Sequence, residues 1–194
     1  GFHSGAGIMA AGNGVYFQAD DDSLGNEQLW WSDGTDVGNG ACVSGRGTCA
    51  LTTSDDYYDP DPKAGVLIGD KFFFSADSND NGVELFVHDQ ETDTVSMVAN
   101  IRAGASDSSP QQLVDFNGTL IFVADDGSTG QELWKSDGTE SGTQRVTDIN
   151  DSGSSDIEEI FVFDDKILFA ANDGSFGVEP YVYDGTNVLF LKNI

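Results

Sequence analysis

The feature that most constrains this chain is a segment that recurs four times. "NGVYFQADDDSLGNEQLWWSDGT" begins at Asn13 and "DKFFFSADSNDNGVELFVHDQET" at Asp70. "NGTLIFVADDGSTGQELWKSDGT" begins at Asn117 and "DDKILFAANDGSFGVEPYVYDGT" at Asp164. Each copy opens on a polar turn and runs into an apolar strand ending at Ala19, Ala76, Ala124 or Ala171. An acidic loop follows, closed by Gly25, Gly82, Gly130 or Gly177. Then comes an acid, an apolar residue or Pro, and an aromatic: Trp30, Phe86, Trp134, Tyr181. Three copies turn next on Asp-Gly-Thr; the second has "DQET".

The rest of each unit repeats as well. Short apolar runs such as "QQLVDF" and "IEEIFVF" precede the polar turn, and "TQRVTDI" and "NVLFLKNI" follow the second one. Each unit therefore holds four short strands, with turn signals at strand-like spacing and no helical period. Four-stranded units recurring every ~50 residues are the pattern of propeller blades. The predicted fold is all-β: one domain spanning 1–194, a β-propeller-like array of four four-stranded repeats at about 4–53, 62–101, 110–149 and 157–194. Such units make a closed four-bladed ring or part of a larger one. A β-sandwich or barrel is the alternative, and a terminal strand pairing with a neighbouring subunit is a third arrangement.

Composition narrows the partners. The chain carries 34 Asp and Glu against 8 Lys and Arg, a formal charge of −26. A nucleic-acid partner needs a basic face, which this chain lacks. No run is long and apolar enough for membrane insertion. The charge strains a compact state by self-repulsion, which cations or salt relieve. Cys42 and Cys49 enclose a short, Gly-containing loop, and the sequence predicts a disulfide between them. Closing such a loop contributes roughly 2–3 kcal/mol. A disulfide implies an oxidising, extracellular or periplasmic setting. The chain begins "GFHSG" without Met, as a processed protein or an ordered portion of a longer one would.

The stretch "ELWKSDGTESGTQRVTDI" (132–149) resembles the bacterial ELWxxDGT repeat. The third copy matches that pattern almost throughout. The first keeps "QLWWSDGT" with Gln28 in place of Glu, the fourth keeps "YDGT" with Pro180 and Tyr181 for Leu-Trp, and the second keeps only "ELF". The resemblance implies a secreted or surface-exposed, propeller-like bacterial repeat protein. It brings no activity and no catalytic residues.

The residues themselves offer little for catalysis. His3 and His88 are the only histidines, and no GxSxG is present. Glu84, Glu132 and Glu179 recur at equivalent positions, with Glu27 one residue off, as structural acids would. The recurring aromatics fit wedges packed between blades. Trp31 differs: its counterpart is Lys135, so an outward-facing contact residue is expected there. Tyr57 and Tyr58, in the acidic "SDDYYDPDP", form a second candidate contact. "DSNDNG" (77–82) fits the opening of a calcium loop, with Asp77, Asn79 and Asn81 as alternate oxygen ligands. Asp20, Asp22 and Asp125 lie in equivalent loops; the competing reading is an ordinary Asx turn. Asn117 and Asn150 fit the glycosylation acceptor pattern. Together these features point to a non-enzymatic, extracellular or cell-surface structural protein. It would act in adhesion or self-assembly, as part of a fibre, a surface layer or an adhesin, with calcium as the expected cofactor. Its partner would be itself or a matrix surface. A carbohydrate-binding or carbohydrate-active propeller, taking a glycan, is the alternative.

Overall fold

The computed structural model describes residues 7–20, 27–35, 47–52, 61–78 and 80–193; for residues 20, 27 and 61–64 it describes the backbone alone. Among the described residues, sixteen strands form four four-stranded antiparallel sheets. The first holds β1 (Ile8–Ala11), β2 (Gly14–Asp20), β3 (Glu27–Ser32) and β4 (Thr48–Ala50). The second holds β5 (Asp61–Ile68), β6 (Lys71–Asp77), β7 (Val83–Asp89) and β8 (Thr94–Ala99). The third holds β9 (Gln111–Phe116), β10 (Thr119–Asp125), β11 (Gln131–Ser136) and β12 (Gln144–Arg145). The fourth holds β13 (Glu158–Phe163), β14 (Lys166–Asn172), β15 (Val178–Tyr183) and β16 (Val188–Phe190). In every sheet the strands neighbour one another in chain order. The fold is the all-β, propeller-like array that the repeats predict.

The second strands of the second and third units are runs of aromatic and aliphatic residues, "KFFFSAD" and "TLIFVAD", because both of their faces are covered. In these two sheets one face meets the preceding sheet and the other the following one. The pairing register identifies the faces. Phe74 opposite Phe86 and Phe122 opposite Trp134 face backward along the chain, as do Phe169 opposite Tyr181. Phe73 opposite Val87 and Ile121 opposite Lys135 lie on the forward faces. The backward aromatic pair recurs in all four sheets, Phe17 with Trp30 included, at centroid separations of 6.2, 6.0, 6.5 and 5.8 Å. These rings are the wedge residues of the sequence pattern.

Three apolar cores result. Tyr16, Leu29 and Trp31 meet Phe72, Phe74 and Phe86 between the first two sheets. Phe73, Leu85 and Val87 meet Leu120, Phe122 and Trp134 between the second and third. Phe116, Ile121 and Leu133 meet Ile167, Phe169 and Tyr181 between the third and fourth. The first strands lie innermost, β1 against β5, β5 against β9 and β9 against β13. There Gln112, at a bulge with φ 54°, ties the third sheet to the fourth: its amide donates to the Ile157 carbonyl (2.9 Å) and accepts from the Ile160 N–H (2.9 Å). Among the described residues, no apolar core joins the fourth sheet to the first. The array is open.

The loop glycines of the second and third units, Gly82 and Gly130, sit where the following connection passes close by. Gly130 has φ 73°, and an added Cβ would collide with the Ser154 backbone. Gly118 has φ 83° and open space around it. Gly130→Ala is expected to lower stability by about 2 kcal/mol or more, from left-handed strain plus overpacking. Gly118→Ala carries only the backbone strain, about 1 kcal/mol. Urea denaturation of the two variants checks the difference.

Candidate functional site

The recurring acid serves as a clamp. Opposite the strand-ending Ala lie Glu84, Glu132 and Glu179, all buried. Glu84 accepts hydrogen bonds from the Ile101 N–H (2.9 Å), the Arg102 N–H (3.3 Å) and the Ser108 hydroxyl (2.6 Å). Glu132 accepts from the Thr147 hydroxyl (2.7 Å) and the Ile149 N–H (3.2 Å). Each carboxylate thus holds the segment that leads into the next unit. In the first sheet Gln28, not Glu27, stands opposite Ala19. Leu29 N–H donates to Thr52 there as Leu133 N–H donates to Thr147 in the third unit, at 3.0 and 2.9 Å. Burial pushes both the Glu84 and the Glu132 carboxyl above the ordinary carboxylate value, against the pull of their donors.

The Asp-Gly-Thr segment is an Asx turn. Asp137 accepts from the Thr139 hydroxyl (2.7 Å) and N–H (2.9 Å), and Asp33 from those of Thr35 at 2.6 and 2.9 Å. Asp184 does the same with the Thr186 and Asn187 N–H groups, and Asp89 with those of Glu91 and Thr92. The hydroxyl donors hold Asp137 and Asp33 below the ordinary carboxylate value. Ser136 pairs with Thr143 at 2.8 Å and Ser32 with Thr48 at 2.7 Å. Thr48 is therefore the structural equivalent of Thr143.

The acidic loops close on themselves in the same way. Asp126 accepts from the N–H and hydroxyl groups of Ser128 and Thr129; against the upward push of partial burial, these donors hold it at about 2. Asp125 accepts from Gly127 N–H at 2.7 Å and from the Arg102 guanidinium at 2.8 Å. Asn81 accepts from the Asn100 amide at 2.7 Å. Asp77 ends β6. Asn79, Asp22 and the Asp20 side chain lie outside the described residues. Among the described residues no group of three or more His, Cys, Asp or Glu is placed to hold a metal. Cys49 is buried on β4 opposite Trp31, while Cys42, Tyr57 and Tyr58 lie outside the described residues. Asn117 is exposed at the β9–β10 turn, whereas the Asn150 amide is engaged by Ser152 and the Ser154 carbonyl.

Trp31 departs from its expected outward position. It is 5 % exposed and lies in the core between the first two sheets. Its position belongs to the forward face, opposite Tyr16, and packs over Gly14. Lys135 occupies the same register position in the third sheet, opposite Ile121, so the site accepts either a ring or a lysine stem. Next to this core, Tyr16 donates to His88 Nδ1 (2.8 Å), and His88 Nε2 lies 3.2 Å from Asp93. The set has the look of a proton relay. However, His88 is buried between sheets, and burial lowers its pKa, against the pull of Asp93, so it packs as a neutral ring.

The surface that sequence reasoning missed is the forward face of the fourth sheet. Leu168 occupies the register position of Tyr16, Phe73 and Ile121. Phe161 matches Met9, Val66 and Val114, and Phe163 matches Ala11, Ile68 and Phe116. In the first three sheets these positions pack on the next sheet. In the fourth, Phe161 is 60 %, Phe163 71 %, Leu168 37 % and Leu189 53 % exposed. Exposed acids, Glu158, Glu159, Asp164 and Asp165, flank these phenylalanines in sequence. Composition alone gives no signal for this surface, because "IEEIFVF" reads as a first strand like its counterparts. A separate cleft of about 500 Å³ opens between the third and fourth sheets, where Phe176, Tyr181 and Phe190 stand beside Thr147, Asp148 and Asp173.

No protein-family model and no curated protein matches the chain. Solved structures resemble it at 14 % identity. The S511A mutant of puromycin hydrolase complexed with PGG superposes with a TM-score of 0.58 over 92 % of this chain and 27 % of that one. A protein described as TolB from Agrobacterium tumefaciens gives 0.49, over 92 % of this chain and 61 % of that one. The chain thus spans only part of either structure's length. The likeness to the hydrolase supports the propeller-like fold and nothing beyond it.

The clamp makes a testable pH prediction. A raised folded pKa means that the contribution of Glu132 to stability is fully present below its ordinary value of 4.5 and is lost as pH rises through the folded pKa. Gln does not titrate, and Gln28 already fills the equivalent place. Glu132→Gln is expected to fold and to gain stability relative to the parent as pH rises from 4.5 toward neutrality. Glu132→Ala strands a buried hydroxyl and N–H and should cost about 1–3 kcal/mol at pH 4.5 and below, less as pH rises because Ala, like Gln, does not titrate. Thermal melts of the three proteins across pH check both.

Proposed function

We propose that the chain is an extracellular structural repeat protein that works by assembly through its end blades. The exposed apolar forward face of the fourth sheet carries this reading. Contiguous apolar surface rimmed by polar groups marks interaction sites, and here the patch repeats a pattern that the first three sheets bury. The resemblance to ELWxxDGT repeats, the expected Cys42–Cys49 disulfide and the acidic surface support a secreted or cell-surface location. Calcium is a subsidiary element, screening the exposed acids or filling the loop at 77–82. No catalytic role is assigned, because the recurring acids are engaged in holding backbone and hydroxyl groups.

Carbohydrate binding is the second reading, favoured by the cleft that sets Phe176 and Phe190 beside Asp148 and Asp173. Glycan binding that Phe190→Ala removes, with no change in particle size, would favour it over assembly.

The assembly reading predicts self-association that strengthens with salt, because screening offsets repulsion between chains of charge −26. Phe163→Asp places a charge in the middle of the patch and should weaken association by about 30-fold or more, the loss typical of an interface hot spot. Light scattering across concentration, with and without a calcium chelator, measures this. A wild-type chain that stays monomeric throughout would sink the reading; association indifferent to chelation would remove its calcium element.

A further inference from the structure

The two ends of the array are not alike, and each is half of an interface that the chain builds three times. The fourth sheet ends on a forward face, with Phe161, Phe163, Leu168 and Leu189 uncovered. The first sheet begins on a backward face. Val15, Phe17 and Trp30 sit at the register positions of Leu120, Phe122 and Trp134. Those three residues of the third sheet are buried against the second, whereas Val15, Phe17 and Trp30 are only half-buried. Ile8, at the position of Leu113, is 60 % exposed, and Leu113 is buried in the core between the second and third sheets. Trp30 also repeats the indole anchoring of Trp134: each ring N–H donates to the carbonyl of the strand-ending Ala, at 3.2 and 3.0 Å.

We infer that a second copy of this chain docks head to tail, with the fourth sheet's forward face of one copy on the first sheet's backward face of the other. The contact would form a fourth apolar core of the kind already built between consecutive sheets. Its two halves are supplied by every copy, so the occupant needs no surface that the molecule lacks. The same register argument disfavours a symmetric contact. A forward face meets a backward face at each of the three internal junctions, and two forward faces never meet. A head-to-tail contact is heterologous, so it closes into a ring if the rotation allows and otherwise continues as a filament. Glu159 supports the polarity. It is exposed at φ 51° in the position of Gln112, the residue whose side chain reaches across to the next sheet's backbone.

This inference rests on the assembly reading, and one set of variants separates the two. Phe163→Asp blocks the forward end and Ile8→Asp the backward end; both residues are largely exposed, so neither change disturbs a core. Sedimentation velocity on each variant alone is expected to show monomers. An equimolar mixture is expected to show dimers and nothing larger, because only one compatible pair of faces remains. Circular dichroism confirms that each variant is folded. Association of wild type that Phe163→Asp abolishes and Ile8→Asp leaves intact would overturn the head-to-tail contact while sparing assembly. A mixture that stays monomeric would overturn it as well. A monomeric wild type overturns both.

Discussion

Everything in this structure depends on sheets that are apolar on both faces. A single two-faced blade cannot satisfy itself, so it must lie between two neighbours. The recurring aromatic pair on the backward face, met by a mixed aromatic and aliphatic forward face, makes each junction directional. Repeating that junction generates the array and leaves, among the described residues, one face at each end that no other sheet of the chain covers. Burying a Phe contributes about 1.5–3 kcal/mol relative to leaving it exposed, so Phe161 and Phe163 alone represent a substantial uncollected stabilisation.

The acids give the array its connections. In the Asp-Gly-Thr turns and the loops at 125–130 and 172–177, carboxylates accept N–H and hydroxyl donors from within two or three residues. The buried Glu of the second and third units reaches further, to the segment joining one sheet to the next. Cations add to this locally: Arg102 with Asp125, Arg145 with Asp148, Lys71 with Asp89. A chain this acidic holds together because its carboxylates accept hydrogen bonds at short range, where salt screens little. The repulsion that remains acts between molecules, and this links ionic strength to assembly.

Much of this was legible in the sequence. The four-strand unit, the Ala–Glu–aromatic spacing and the wedge role of Trp134 all follow from the repeat, because each copy must meet the same local demands. Trp31 was not legible. Comparison with Lys135 suggested an outward position, yet both lie on a forward face near its outer edge, where a flat ring and a lysine stem fit equally. The open end was hidden for a deeper reason. "EIFVF" in the fourth unit is as apolar as its counterparts, so nothing in its composition distinguishes a covered face from an uncovered one. Only the register, read together with what each sheet touches, shows that Phe161 and Phe163 occupy positions buried elsewhere.

The central claim is that the forward face of the fourth sheet is open within one chain and covered by another. Hydroxyl-radical footprinting of individual side chains, at dilute and concentrated protein, addresses it directly. Phe74, Phe122 and Phe169 should be protected at every concentration. Phe161 and Phe163 should react freely when dilute and become protected as concentration rises. Protection of Phe161 and Phe163 in the dilute monomer would contradict the open array, and equal reactivity at all concentrations would contradict its assembly.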